Sequence, residues 1–338
     1  MPDPIALLKP TFTPDSKPLA RLWQSTTLGV VIPTEFPDGV IKSAHLGVVA
    51  RLAEEQGFSA VWSGDHLVWH CPVLESLSSL AYVAAVTERV VIGTSVLLAA
   101  LRPPLLLAKM LATIDELSGG RLVVGIGVGG ELPVEYEAAG VPLGQRGQRT
   151  DAMIDTLRAL WTGAEVMTTP FWQIPHVMVT PSTALSGGPP VLVGGRSIAA
   201  LRRAGRRGDG WIGLFVTPKR FRNYWSTVVQ EAESANRDWA AMLPAVQIFT
   251  HLDDRADRAE GVATKWIGSQ FGVDPMPMLR YCALGSSTAV AELIQSFIEA
   301  GARHVVLSPM GDPVEQQRRL AGVCQLLEAW RIIGRRPA

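Results

Sequence analysis

Apolar positions along the chain fall into two alternating rhythms. Short unbroken apolar runs, beginning with Val30-Val31-Ile32, are each followed by a stretch in which apolar residues recur every three or four positions. The runs read as buried strands and the spaced stretches as amphipathic helices. Pro33 closes the first strand. Residues 41–56 then set Ile41, Val48, Val49, Leu52 and Ala53 on one helical face, and Gly57 supplies the stop.

The same unit recurs. Ala60-Val61-Trp62 precedes a helix at 74–87. Arg89 to Leu97 precedes one that opens at Pro103-Pro104, where missing N–H groups cost nothing, and ends at Ser118-Gly119-Gly120. Leu122-Val123-Val124 is paired with helix 150–161, Pro190 to Val193 with 197–207, and Gly210-Trp211-Ile212 with 218–235. Residues 245–252 form a seventh strand whose helix comes late, at 288–299. Arg303 to Leu307 is the eighth, and its helix at 314–333 keeps Leu320, Val323, Leu327 and Trp330 in three-four spacing.

Strands that are apolar on both faces belong to parallel sheets covered by helices. Eight such units predict an α/β fold, a (β/α)8 TIM barrel, with an open doubly wound sheet as the alternative. Residues 1–24 hold five prolines and little periodicity, and read as an N-terminal arm before a single barrel domain at 25–338. Two stretches break the rhythm, 163–188 after strand four and 253–287 after strand seven. Both are expected as lids over the C-terminal face, where barrel enzymes carry their sites. Phe171, Trp172, His176 and Met178 in the first suggest a pocket that tolerates aromatic groups.

Composition narrows the function. With 31 basic and 31 acidic residues among 338, the net charge is zero, which argues against a nucleic-acid partner. At 47% apolar and 18% charged the chain is expected to fold. No apolar run reaches the roughly 20 residues of a membrane span. A cytoplasmic enzyme acting on a small molecule is the expectation. Cys71, Cys282 and Cys324 are too dispersed for a disulfide framework or a zinc knuckle, and read as free thiols.

Candidate chemistry clusters where strands end. Asp65-His66 follows strand two, and a histidine beside a carboxylate can act as acid or base near neutral pH. A structural Asp–His hydrogen bond is the plainer reading, and His66 with His70 lacks the third ligand that zinc needs. Gly194-Gly195-Arg196-Ser197 opens a helix, so bare N–H groups and the helix dipole suit an anion such as a cofactor phosphate; an ordinary tight turn is the alternative. Gly125 to Gly130 matches a dinucleotide fingerprint, but Pro133 follows and the next helical stretch begins only at residue 150, so a loop against a flat ring fits better. Glu131 is a lone loop acid. Trp62, Trp69, Trp172 and Trp211 are candidate pocket walls, or core.

Taken together these residues resemble the bacterial luciferase-like flavin-dependent oxidoreductases, a (β/α)8 family, from about Leu28 to Leu307. The stretch Leu117-Ser118-Gly119-Gly120-Arg121 leading into Gly125–Gly130, then Glu135 to Pro142 and Arg146-Gly147, is the most specific part of the likeness. Ser63-Gly64-Asp65-His66, Gly93-Thr94-Ser95-Val96, Val193-Gly194-Gly195 and Gly208-Asp209-Gly210-Trp211 also match. The resemblance implies one of two cofactors: reduced FMN with dioxygen, giving a monooxygenase, or the deazaflavin F420, giving hydride transfer. The Asp65-His66 pair is more similar to the F420 branch, where it contacts the deazaflavin and the histidine exchanges a proton.

By the same resemblance, Ser95-Val96 would be a strand bulge with a non-proline cis peptide beneath the ring. Leu98, Gly129, Gly130, Gly194, Gly195, Ser197 and Ile198 would contact ring and tail, and Glu131 would be a second catalytic acid, although its loop is one residue longer than the family pattern. The basic residues that bind a sugar phosphate in some members are not recognisable at 253–287. Members are often homodimers. A non-catalytic flavin- or deazaflavin-binding protein is the remaining reading, and no metal is implied.

Overall fold

Successive residues of each strand point to opposite sides of the sheet, and this chain fills both sides with apolar groups. Trp62, Val91, Val123, Leu192, Ile212, Ala245 and Val306 form one cluster, while Val61, Ile92, Val124, Val193 and Leu307 belong to another that includes the surrounding helices. This explains the unbroken apolar runs. The structure is a computed structural model, and it describes residues 17–163 and 167–330.

The strands in chain order are β1 (Thr27–Val31), β2 (Ala60–Ser63), β3 (Val91–Leu97), β4 (Leu122–Ile126), a small antiparallel pair β5 (Met167–Thr168) and β6 (Gln173–Ile174), β7 (Val191–Gly194), β8 (Gly210–Leu214), β9 (Leu243–Leu252), the short β10 (Ala283–Gly285) and β11 (His304–Pro309). All pairings of the main sheet are parallel. Because β9 pairs with both β8 and β11, eight strands close into a barrel, and β10 extends it beside the end of β9. Closure removes the exposed edges that an open sheet would present. The predicted barrel, with its eight strand–helix units, is therefore the observed fold.

Helices cover the outside: α2 (Ala44–Glu55), α3 (Ser76–Val86), α4 (Pro104–Ser118), α6 (Arg146–Thr162), α7 (Ile198–Arg207), α8 (Pro218–Ser234), α11 (Ser287–Glu299) and α12 (Pro313–Ala329). Pro104 opens α4 as expected, and Gly119, at φ +67°, closes it in the left-handed conformation. The end of the helix predicted at 314–333 lies outside the described residues beyond 330. None of the described helices is long and apolar enough to cross a membrane.

The sequence reading needs correction at two places. Residues 17–24, which proline content marks as an arm, form helix α1 (Lys17–Gln24), with Leu19 and Leu22 fully buried. These two and Trp23 share the barrel-interior cluster with Leu185, and Trp23 Nε1 donates to Ala241 O at 2.9 Å just before β9 begins. The three- and four-residue spacing of Leu19, Leu22 and Trp23 is an amphipathic turn that the flanking prolines obscure. Residues 1–16 of the expected arm lie outside the described residues.

The second correction concerns 163–188. This stretch leaves the C-terminal end of α6 and rejoins the sheet at the start of β7, so it belongs to the end of the barrel opposite the expected lid. Trp172 Nε1 donates to Thr156 Oγ1 on α6 at 3.0 Å, and the Arg149 guanidinium lies 5.2 Å from the Phe171 ring centre. Ala184 N donates to Asp115 Oδ2 on α4 at 2.8 Å. Met178 and His176 are exposed. The stretch packs against the helical layer and helps to close the barrel floor; it does not roof the mouth.

The 253–287 insertion does stand at the mouth, and it is ordered. It contains α9 (Ala256–Phe271) and the short α10 (Met276–Leu279) before β10. Trp266 and Phe271 of α9 pack on Phe249 near the end of β9, at ring separations of 5.3 and 5.8 Å.

One polar group is sealed inside the barrel. His304 on β11 accepts from Trp62 Nε1 at 3.0 Å through Nε2 and lies 2.8 Å from Thr27 Oγ1 through Nδ1. Burial pushes its pKa down to about 3, so the ring is neutral, with Nδ1–H assigned as donor to Thr27. Gly29 makes room, since a Cβ there would lie 2.6 Å from Trp62 Nε1.

Candidate functional site

At the end of β2 the chain sends adjacent side chains to different tasks. Asp65 is turned into the wall, fully buried, and takes both guanidinium arms of Arg102 at 2.8 Å and Leu98 N at 2.9 Å. Arg102 also reaches Glu75 at 3.0 Å. Asp65 thus ties the exit of β2 to the exit of β3. It is not the partner of His66.

That partner is Glu135, on the short helix α5 (Pro133–Ala138) after β4. His66 Nδ1 lies 3.3 Å from Glu135 Oε2, and the buried carboxylate also accepts from Leu67 N at 2.6 Å and Val68 N at 3.3 Å. Burial works to raise the Glu135 pKa, but the hydrogen bond and charge of His66 and the two backbone donors outweigh it and hold the carboxyl below its usual value. The ring of His66 stacks on Trp69 at 3.6 Å, and Trp69 meets Phe271 of the insertion edge-on at 6.0 Å. The His66 side chain remains 16% exposed. With Nδ1 engaged, Nε2 is the ring nitrogen left to exchange a proton.

Glu35, in the loop after β1, approaches the same corner. A Cβ on Gly64 would collide with its carboxyl, which is why a glycine precedes Asp65. Burial pushes the Glu35 pKa up; the charge of His66 and a hydrogen bond with Gln270 pull against this, and Asp65 adds to the rise.

At the end of β3 the register slips between Thr94 and Leu97, and the Ser95–Val96 peptide is cis, as the sequence resemblance implies. Ser95 Oγ donates to Gln247 Oε1 of β9 at 2.5 Å, across the mouth. Val96 points towards β4 and β7. A Cβ at Gly127 would collide with it, and one at Gly194 would lie 2.8 Å from its Cγ1. The two glycines therefore make room for the side chain of the half-buried Val96.

Gly129 at φ +51° presses on Leu98, and Gly130 at φ +108° on Arg146. Both need the conformational freedom of glycine. Gly195 through Ala199 are exposed at the start of α7. Ser197 Oγ caps the helix by accepting from Ala200 N at 3.2 Å, and Ile198 is 61% exposed, so the first turn faces solvent. Arg196 donates to Phe215 O at 2.9 Å, and Arg220 and Arg280 both reach Tyr281 Oη, at 3.5 and 2.6 Å. None of these three arginines pairs with an acid among the described residues. Glu131 is exposed and forms no hydrogen bond or ion pair with a described residue.

Residues 26–287 match the family described as luciferase-like monooxygenase. The chain belongs to the luciferase-like family.

Several relatives give that membership detail. An uncharacterized protein of Mycobacterium bovis is 41% identical over 142 residues, which is 42% of this chain and 48% of the relative, so the match spans about half of that protein. The F420-dependent glucose-6-phosphate dehydrogenase of Nakamurella multipartita is 28% identical over 317 residues, covering 82% of this chain and 89% of that protein. A solved F420-dependent secondary alcohol dehydrogenase, in complex with an F420-acetone adduct, shares the fold: TM-score 0.76 at 18% identity, over 88% of this chain and 99% of that one.

Within this luciferase-like barrel, the expected residues fall into three groups. Asp65, Leu98 and Gly129 form one contact chain beside His66, and Val96 sits with Gly194 at the neighbouring strand ends. Ser197 and Ile198 lie farther out at the α7 rim. Glu135, Arg102, Glu35 and Gln247 were not singled out by sequence reasoning. Glu135 carried a signal, since it begins the Glu135–Pro142 segment of the family likeness. Of the four tryptophans, Trp69 lines the site. Trp62 is buried in the barrel, Trp211 is buried beside Phe221, and Trp172 packs on α6.

Proposed function

We propose that this luciferase-like oxidoreductase uses coenzyme F420 to transfer hydride to or from a small organic substrate, with His66 as the proton donor or acceptor. The observation that carries the reading is the partly exposed His66, held through Nδ1 by a buried, low-pKa Glu135 at the mouth of the barrel.

The residues present fit the cofactor. Gly127 and Gly194 make room for the Val96 side chain, which a Cβ at either position would strike, and so let that half-buried valine support a ring at the strand ends. The open first turn of α7, with Gly194, Gly195, Ser197 and Ile198, suits an anionic tail through backbone donors and the helix dipole. The unpaired Arg196, Arg220 and Arg280 add positive charge to that rim. Ser95, Val96, Leu98, Gly129 and Gly130 would hold the ring, and Asp65 supports them by fixing Leu98. Relatives named as F420-dependent support this cofactor over FMN.

When bound, F420 supplies a two-electron hydride acceptor or donor. The chain supplies position and proton management. Glu135 fixes the tautomer and orientation of His66, so that Nε2 takes up or releases the proton accompanying hydride movement. The α9 aromatics exclude water from the mouth. Glu131, exposed and without a partner to tune it, takes no step in this scheme. His66→Ala tests the reading: turnover of F420 with substrate should fall by roughly 100-fold or more, with F420 affinity little changed. Unchanged turnover would remove His66 from the mechanism, and dioxygen consumption with bound FMN would replace the scheme with monooxygenation.

A further inference from the structure

Beneath α9, beside the barrel mouth, lies a cavity of about 360 Å³. One wall is the 31–38 stretch, the second is α9 through Val262 and Trp266, and the third is 308–313. The volume lies in the range that small-molecule sites occupy.

Three observations join this cavity to the reaction site. Val31 and Ser308 line it, and both lie at the C-terminal ends of barrel strands, β1 and β11. Glu35 lines it too, and its carboxyl lies against Gly64 and within electrostatic reach of His66. Trp266 continues the lining into the aromatic cluster of Phe249, Phe271 and Phe215.

The lining also constrains what enters. Its apolar part is large: Val31, Ile32, Phe36, Val49, Val262 and Trp266. Thr34, only 1% exposed, is one of the lining residues, and its buried Oγ1 has no hydrogen-bond partner among the described residues. A buried hydroxyl without a partner is costly, and a ligand oxygen would relieve it. The charges do not favour an anion. Glu35, Asp38 and Asp312 stand against Lys42 and Lys265, and Lys42 is already 3.6 Å from Asp38.

We propose that this cavity is the substrate pocket and that it takes an uncharged, largely apolar alcohol or carbonyl compound. Its oxygen is turned towards Thr34 and Glu35, and its carbon skeleton rests against Val31, Val262 and Trp266. A phosphorylated sugar is the wrong chemistry here, because its dianion would meet three carboxyl groups. This inference rests on the function proposed above.

The test combines binding and turnover. Binding of cyclohexanol and 1-phenylethanol, followed by ligand-observed NMR, is compared for the wild-type protein, Val262→Trp, which fills the cavity, and Thr34→Val, which keeps its shape but removes the hydroxyl. Each variant is expected to weaken alcohol binding, Val262→Trp by about tenfold or more and Thr34→Val by about three- to tenfold. F420 affinity, measured by fluorescence, should stay within about twofold, since tenfold corresponds to about 1.4 kcal/mol. Alcohols should be turned over with F420 and glucose 6-phosphate should not. Equal alcohol affinity in all three proteins, or saturable turnover of glucose 6-phosphate, would overturn the pocket assignment and leave the cofactor reading standing. Alcohol binding that fails in both variants, with no wild-type response to F420, would support the pocket and overturn the cofactor.

Discussion

His304 makes the barrel interior sensitive to acid, and the size of the effect follows from its surroundings. In the folded protein its pKa is pushed down to about 3 by burial, against an ordinary value of 6.5. The unfolded chain therefore binds a proton that the folded chain refuses between these values, so stability rises with pH across that window. The contribution is fully present above pH 6.5 and is lost as pH falls, by about 1.4 kcal/mol per unit. Between pH 7 and pH 5 this one residue should remove about 2 kcal/mol. The assay is chemical denaturation of the wild type and His304→Gln at both pH values. The variant should be less stable at pH 7, because the Trp62 and Thr27 hydrogen bonds are disturbed. Its loss between pH 7 and pH 5 should be smaller than the wild type's by about 2 kcal/mol. An identical pH response in the two proteins would refute the reasoning.

Other perturbations probe the site and its frame. Glu135→Gln keeps the shape of the carboxylate but removes its charge, and should lower turnover on the order of tenfold with F420 affinity unchanged in a fluorescence titration. Asp65→Asn breaks the buried pair with Arg102 and should cost about 3 kcal/mol or more of stability in denaturant unfolding. Leu22→Ala should cost about 2–5 kcal/mol in the same measurement if α1 is part of the core, and a negligible change would restore the picture of a loose arm.

Much of the fold is legible because each strand needs apolar residues on both faces. Runs such as Val91–Ile92 and Val191–Leu192–Val193 admit few other readings, and Gly119 punctuates α4 where a left-handed residue is needed. The placement of 163–188 is legible in chain order, since it follows the helix at 150–161 and precedes the strand at 190–193 and so belongs to the N-terminal face. Its length drew it instead to the face where long functional loops are expected. Residues 256–271 have helical spacing in Ala259, Ala263 and Ile267, but the break in the strand–helix rhythm drew attention to a loop. At the site, adjacency misleads. Asp65 and His66 are neighbours in sequence, yet their partners are Arg102 and Glu135, 37 and 69 positions away. Pairings of that range are set by the closing of the barrel, and only a resemblance to related chains marks them in advance. The cis Ser95–Val96 bulge was legible for that reason alone.

The central claim is that Val96, seated between Gly127 and Gly194, and the open start of α7 bind a deazaflavin. Its most direct test is a fluorescence titration of the purified protein with F420 and, separately, with FMN. Saturable F420 binding that Gly194→Ala weakens, with little or no response to FMN, is the expected result. Tight FMN binding without any response to F420 would contradict it.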